Sequence, residues 1–154
     1  MTVSQRVLAI GDIHGCANAF RFLLELIGAT HQDTVVVLGD VIDRGPDSRT
    51  VIEMLIALQR QTNLITIMGN HDEMMLECVD AEMEREYWLD CGGRATLGSY
   101  GGTLESVPSE HIEFLRDFRD YWETETDIFV HANVEPGVPM TEQIFPWLSR
   151  SFPG

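Results

Sequence analysis

The sequence predicts an α/β fold built on a parallel sheet, and a recurring pattern of short apolar runs is the main evidence. Three runs rich in β-branched residues begin at Val7, Val35 and Ile65, and each is followed by glycine and then by Asp or Asn. Uninterrupted apolar runs of this length are typical of buried, largely parallel strands. Helical patterns lie between the runs, and the βαβαβ order implies crossover helices on a parallel sheet.

The individual elements follow from this pattern and from their terminal residues. Gly28 suits the C-cap of the first helix, and Ser48 is expected to be the N-cap of the second. The predicted elements are strands at residues 7–10, 35–38 and 65–68, helices at 19–27 and 51–58, an acidic helical stretch at 73–86, a glycine-rich connection at 92–102, a helix from 108 to 119, a strand at 128–130 and an apolar segment at 144–148.

Composition narrows the class of protein further. The 154 residues suggest one domain spanning residues 1–154, and 10 basic against 25 acidic side chains give a net charge of −15. Such a surface repels phosphate backbones, so we expect no nucleic-acid partner. The apolar runs are too short for a membrane span, and the N-terminus lacks the features of a signal peptide. Three widely spaced cysteines are typical of a reducing compartment, which predicts a cytoplasmic protein.

Polar side chains gather where the predicted strands end. The three loops have the sequences GDIHG, GDVIDRG and GNHD, and His131 follows the strand at 128–130. Ligands bind beyond the carboxyl ends of the strands in open α/β sheets, so these residues are expected at one sheet edge. Carboxylates and imidazoles without thiolates suit Mn, Fe or Zn. The combination predicts a metal site, although any one of these signals alone would be an ordinary turn or a buried histidine.

The three loop motifs, in this order and near these spacings, resemble those of metallophosphoesterases of the serine/threonine protein phosphatase type. The stretch from Trp88 to Tyr100 is similar to bacterial and phage members of that family. The resemblance implies the calcineurin-like α/β sandwich over the whole chain. It also implies two divalent metal ions, with Mn²⁺ expected first and Fe or Zn as alternatives.

The resemblance implies a specific set of metal ligands. Asp12 and His14 would bind one ion, Asp40 would bridge both, and Asn70 and His131 would bind the second. Two such ions can hold a bridging hydroxide and clamp the oxygens of an in-line displacement at phosphorus.

The resemblance also implies the remaining catalytic groups. His71 would be the general acid that protonates the leaving oxygen, and Asp43 would orient it. Arg44 would grip the substrate phosphate, with Arg150 as a second candidate for that role. We expect Cys16 to be a packed residue near the site and His111 to be a surface residue of its helix.

One part of the family pattern is absent from the sequence. The family has a further metal-ligating histidine in a Gly-His-Thr-like segment downstream of the second arginine, and this chain stops at Gly154. The strands that complete the second sheet would be missing with it. We therefore expect a fragment or an early end in preference to a natural truncation, since an open apolar sheet edge favours aggregation. A partner chain covering that edge is a further alternative.

Three functions are compatible with these residues. The first is a phosphomonoesterase that hydrolyses phosphoserine or phosphothreonine in proteins, with a phosphoprotein or phosphopeptide as its partner. The second is a dinucleoside polyphosphate hydrolase, because symmetrical diadenosine tetraphosphatases look similar and share the GD-x-HGC motif. Those enzymes usually lack an acidic residue at the position of Asp43, which favours the phosphatase. The third is a non-catalytic phosphopeptide-binding pseudophosphatase, against which His71 and Asp43 argue.

Overall fold

Three parallel strands form the central sheet, as the apolar runs predicted. β1 (Val7–Ile10), β2 (Thr34–Val37) and β3 (Asn63–Thr66) lie in the order β1-β2-β3. The structure is a computed structural model, and it describes residues 6–144. β2 and β3 end one and two residues before the predicted limits, but the ladder continues, because Ile67 N still donates to Val37 O.

Two helices cover one face of the sheet. α1 (Ala17–Ile27) ends at Gly28, whose φ of 53° is the left-handed conformation predicted for a C-cap. α2 (Ser48–Leu58) begins one residue earlier than a Ser48 cap requires, since the Asp47 side chain accepts from Thr50 N and is the actual N-cap. The prediction for Ser48 was wrong, and its side chain is buried instead. Apolar side chains of the helices and the sheet form the main core, among them Phe20, Val35, Val37, Val51, Ile52 and Leu55.

A small hairpin covers the other face. β4 (Tyr121–Glu123) pairs antiparallel with β5 (Ile128–Val130). Trp122 and Phe129 of this hairpin pack on Val36, Ile65 and Ile67 of the sheet. The sheet is therefore enclosed between helices and a hairpin, which gives the α/β sandwich its layers. The strand at 128–130 is where the sequence predicted it, but it belongs to a second sheet.

The chain between β3 and the hairpin is more helical than predicted. The expected stretch at 73–86 breaks into α3 (Asn70–Val79) and α4 (Arg85–Trp88), with Ala81 left-handed at φ 61° between them. The expected glycine-rich connection begins as a wide turn at Leu89–Gly93, in which only Gly92 leaves the helical region, at φ 129°, and continues as α5 (Arg94–Ser99). The glycines with positive φ that end it are Gly101 and Gly102. α6 occupies Ser109–Arg116.

Short 3₁₀ turns complete the described chain, at Leu104–Ser106 and Met140–Glu142. Within residues 6–144, no helix is both long enough and apolar enough to cross a bilayer. Most of the apolar segment predicted at 144–148 lies outside the described residues.

Candidate metal centre and proton-donor site

The loops that follow β1, β2 and β3 are joined to one another by backbone hydrogen bonds. His14 N donates to Asp40 O at 2.9 Å, and Gly15 N donates to Val41 O at 2.9 Å. His71 N donates to the Asp40 side chain at 3.0 Å, which ties the third loop to the second. The carboxyl ends of the three strands therefore converge as a single edge, as predicted for an open α/β sheet.

The backbone at this edge is strained in a consistent way. Four residues adopt the left-handed region, with φ of 44° at His14, 51° at Asp40, 69° at Asp43 and 64° at Arg44. Among the described residues only one other non-glycine residue, Ala81, has a positive φ. Left-handed backbone costs non-glycine residues about 1 kcal/mol or more each, and it persists where the surrounding structure holds it. Strain concentrated in four predicted site residues indicates a functional site.

Two histidines are oriented so that their Nε2 lone pairs face the site. His14 Nδ1 lies 2.9 Å from Ile42 O, and His131 Nδ1 lies 2.7 Å from Leu38 O. A carbonyl oxygen only accepts, so each Nδ1 carries the proton and each neutral ring presents Nε2 as a ligand. Backbone carbonyls behind ligating histidines are a common feature of metal sites, because they fix the tautomer and the ring orientation.

Asp40 lies between these two rings. Its side chain is only 4% exposed, with Oδ2 3.6 Å from His14 Nε2 and Oδ1 3.4 Å from His131 Nε2. Asn70 Oδ1 also faces His131 Nε2, at 3.1 Å. These are lone pairs facing lone pairs in a largely buried place, which is favourable when a cation sits among them. The donor set, oxygen and imidazole nitrogen, fits a divalent transition metal.

Two groups of side chains could each hold an ion, and Asp40 belongs to both. One group adds His14 and His71 to Asp40, and the other adds Asp12 and His131, with ligand atoms within 4.8 Å of one another in each group. A carboxylate shared by both groups is compatible with the predicted bridging role. The predicted division of ligands differs, since it pairs Asp12 with His14 and leaves His71 free of metal; it stays a prediction. The Asp12 side chain is 54% exposed, unlike that of Asp40.

His71 is bonded to a carboxylate from the side opposite the site. Its Nδ1 lies 2.8 Å from Asp43 Oδ2, and both side chains are almost completely buried, at 3% and 0% exposure. A carboxylate accepts the Nδ1–H, so His71 presents Nε2 outward. This arrangement is the one expected of a histidine that carries a proton to a substrate.

Arg44 spans the two histidines of the first and third loops. Its Nη1 lies 2.8 Å from His14 Nε2, and its Nη2 lies 2.8 Å from His71 Nε2. A guanidinium only donates, so both Nε2 atoms accept here. The exposed Arg44 fork thus points at the place where a metal ion or a phosphate would be held. Arg150, the other predicted phosphate ligand, lies outside the described residues.

Asp72 joins the second and third loops, although no role was predicted for it beyond its place in the third motif. Its carboxylate is fully buried and accepts from Val41 N at 3.0 Å and from Gly69 N at 3.2 Å. Burial raises the pKa of Asp72 well above its usual value, and the nearby charge of Asp40 adds to the effect. Asp72 therefore holds Asp40 and the start of α3 in register.

Two further residues of the stretch from Trp88 to Tyr100 touch Asp43, one from the end of α4 and one from α5. Trp88 Nε1 donates to Asp43 Oδ2 at 2.8 Å, and Thr96 Oγ1 donates to Asp43 Oδ1 at 2.7 Å. The likeness of this stretch to bacterial phosphatases was the only sequence signal for them.

Two minor expectations were wrong. Cys16, which was expected to be packed, is exposed at the N-cap of α1. His111 is buried and bonded through Nδ1 to the Tyr100 hydroxyl at 2.8 Å. Burial lowers the pKa of His111 because it disfavours the charged ring.

Comparison with known proteins agrees with this site. A model of the calcineurin-like phosphoesterase family matches residues 5–150, so the chain belongs to that family. A symmetrical bis(5′-nucleosyl)-tetraphosphatase from Nitrosomonas europaea is 30% identical over 135 residues, which are 83% of this chain and 44% of that protein. Serine/threonine-protein phosphatase 1 from Salmonella typhimurium is 38% identical over 90 residues, 58% of this chain and 39% of that protein. The chain thus spans less than half the length of these relatives.

Solved structures show the same fold. The crystal structure of a candidate diadenosine tetraphosphatase matches with a TM-score of 0.70 and 26% identity, over 94% of this chain and 57% of that one. A Saccharomyces cerevisiae protein serine/threonine phosphatase matches with a TM-score of 0.62 and 16% identity, over 88% of this chain and 41% of the other. The second likeness concerns the fold alone. Together these findings place the chain in the metallophosphoesterase family, with candidate ligands for divalent metal at the sheet edge.

Proposed function

We propose that this site hydrolyses the phosphoanhydride chain of bis(5′-nucleosyl) tetraphosphates. The observation that carries the proposal is the run of relatives that bear this name, of which the Nitrosomonas europaea protein aligns over most of the chain. A relative from Wigglesworthia glossinidia brevipalpis with the same name is 40% identical over 68 residues. This order of preference differs from the one that Asp43 suggested in the sequence.

The residues present suit cleavage of a phosphorus–oxygen bond. The metal would be held by the five predicted ligands, Asp12, His14, Asp40, Asn70 and His131. Mn²⁺ is the expected metal, with Fe or Zn as alternatives. Bound divalent ions would neutralise phosphate charge and activate the attacking water. Their loss on chelation should abolish turnover.

His71 would supply the proton for the leaving group, and Arg44 would bind the phosphate oxygens. Once Arg44 has left His71 Nε2, that nitrogen takes up a proton from water and the ring becomes positive, with Asp43 still accepting the Nδ1–H. When the phosphorus–oxygen bond breaks, the proton on Nε2 passes to the leaving oxygen and His71 returns to the neutral ring. Arg44 turns its fork from the histidines to the phosphate oxygens, for which two parallel N–H donors are well matched. In the ground state Arg44 is already hydrogen-bonded to both rings, so a short rotation would suffice.

Hydrolysis of phosphoserine or phosphothreonine in proteins is the second candidate. The specific observation in its favour is the buried Asp43–His71 pair, since an alkoxide is a poor leaving group and gains most from a positioned acid. The Salmonella typhimurium relative named serine/threonine-protein phosphatase 1 supports it as well.

Product analysis separates the two candidates. The metal-stripped chain, reloaded with Mn²⁺, Fe²⁺ or Zn²⁺, is given diadenosine tetraphosphate or a phosphoserine peptide, and the products are resolved by anion-exchange chromatography. We expect nucleotide products that require both metal and His71, so that the His71→Asn variant keeps its metal but loses turnover. Phosphate release from the peptide with no cleavage of the dinucleotide would overturn the first candidate in favour of the second.

A further inference from the structure

The Asp43 carboxylate is held by more donors than the His71 pair requires. Oδ2 accepts hydrogen bonds from His71 Nδ1 and Trp88 Nε1, each at 2.8 Å, and Oδ1 accepts one from Thr96 Oγ1 at 2.7 Å. Asp43, Trp88 and Thr96 are all completely buried. A buried carboxylate is stable where hydrogen bonds replace the water that it has lost.

The hydrogen-bond directions in this network leave little freedom. The Thr96 hydroxyl has one proton, which goes to Asp43 Oδ1, so its oxygen accepts from Asp43 N at 2.9 Å and from Ser48 Oγ at 2.9 Å. Ser48 Oγ in turn accepts from Asp43 N at 3.2 Å. An indole N–H only donates, so the Trp88 contact has a single direction. The carboxylate plane is therefore fixed from both oxygens.

The backbone of the same stretch supports the neighbouring arginine. Gly92 O accepts from Arg44 N at 3.2 Å, and a Cβ at Gly92 would lie 2.9 Å from Arg44 Cγ. The Trp88 ring lies against Gly93, where a Cβ would overlap the indole. The left-handed backbone of Asp43 and Arg44 is thus held in place by the segment between α4 and α5.

We infer that Trp88 and Thr96 are positioning residues, which fix Asp43 so that His71 delivers its proton to poor leaving groups. This inference rests on the proposed role of His71 as the proton donor. Within residues 6–144 the hydrogen bonds of these two side chains go to Asp43 and Ser48 and to no predicted metal ligand, so they act through Asp43. Their removal should slow the reactions that depend on the proton and spare those that do not.

Leaving-group dependence is the test. Phenyl phosphate needs the proton more than 4-nitrophenyl phosphate, whose leaving group is a much weaker base. We expect Trp88→Phe and Thr96→Val to lower kcat for phenyl phosphate about 10-fold or more, with a much smaller loss for 4-nitrophenyl phosphate and little change in KM. Thr96→Ser keeps the hydroxyl and should restore most of the rate.

Matched variants and a double-mutant cycle exclude a general loss of folding. Two control variants should leave the ratio of the two rates unchanged. Trp122→Phe changes a ring that packs against Phe129 on the other face of the sheet. Thr62→Val removes a hydroxyl that donates to Leu58 O. In an Asp43→Asn background, Trp88→Phe should cost no further rate, because its effect passes through Asp43. Equal losses on both substrates, or full additivity with Asp43→Asn, would overturn the inference.

A spectroscopic readout keeps the inference testable if the hydrolase proposal fails. The His71 Nδ1–H, bonded to a buried carboxylate, should give a downfield, slowly exchanging proton resonance. That resonance should move or broaden in Trp88→Phe and Thr96→Val and disappear in His71→Asn. A resonance unchanged in both variants would refute the positioning role, whereas absent hydrolysis of every phosphate substrate by the metal-loaded wild type would refute the proposed function alone.

Discussion

Replacing Asp72 by asparagine should lower the free energy of unfolding by about 1–3 kcal/mol, because it leaves one buried backbone donor without an acceptor. The carboxylate serves Val41 N at 3.0 Å through Oδ1 and Gly69 N at 3.2 Å through Oδ2. An asparagine side chain offers one oxygen and one NH₂ group, so the amide nitrogen must face one of these N–H groups.

An opposing effect reduces the loss. Burial and Asp40 raise the pKa of Asp72, so the ionised side chain carries a cost that asparagine removes. We therefore expect a loss in the lower half of the range. Binding of Mn²⁺ should weaken as well, since Asp72 holds the second loop, which carries Asp40, against the third.

Urea unfolding at neutral pH and a metal titration measure the two effects. Asp47→Asn is the matched control, because its oxygen can still accept from Thr50 N, a contact of 3.0 Å in the wild type, and cap α2. The free energy of unfolding of Asp47→Asn should lie within about 0.5 kcal/mol of the wild-type value. If Asp72→Asn were as stable as Asp47→Asn and bound Mn²⁺ equally well, Asp72 would not join the two loops.

Two other predictions follow from the same structure. Gly69→Ala should destabilise the fold by more than about 2 kcal/mol and weaken metal binding, since its Cβ would overlap Asp40 N and Oδ1. Gly98→Ala in α5 is the matched variant, because no atom lies within 4 Å of its Cβ, and it should stabilise the fold by about 0.5–1 kcal/mol. Urea unfolding compares them, and equal effects would contradict the packing described. Burial raises the pKa of Glu73 from 4.5 to about 6, so between these two values the native state binds more protons than the unfolded state. The native state therefore loses stability as the pH rises through this window. Glu73→Gln should therefore raise the thermal midpoint relative to wild type more at pH 8 than at pH 5, and a pH-independent difference would count against this.

Most of the sheet and the loops at its edge were predictable, because the signals are local. Each strand overlaps a short run rich in apolar and β-branched residues, and the glycine after that run is followed by a polar residue of the site, as at Asp12, Asp40 and Asn70. A parallel sheet then brings these residues to one edge without further information.

Contacts between distant segments were not predictable from local pattern. The strand at 128–130 and the place of His131 after it were predicted, but the pairing of that strand with Tyr121–Glu123 in a second sheet was not. Trp88 meets Asp43 across 45 positions of sequence, and the glycines around it read as a loop although the chain there is mostly helical. His111 has the spacing of a surface residue, and only the fold places it beside Tyr100.

Asp40 belongs to both groups of side chains that could hold metal at the carboxyl edge of the sheet. The most direct test is to count bound Mn²⁺ after equilibrium dialysis, by elemental analysis, in the wild-type chain and in Asp40→Asn and His71→Asn. We expect two ions per chain for the wild type and for His71→Asn, and loss of most of the metal in Asp40→Asn. Full metal occupancy in Asp40→Asn, or no specific binding in the wild type, would contradict this expectation.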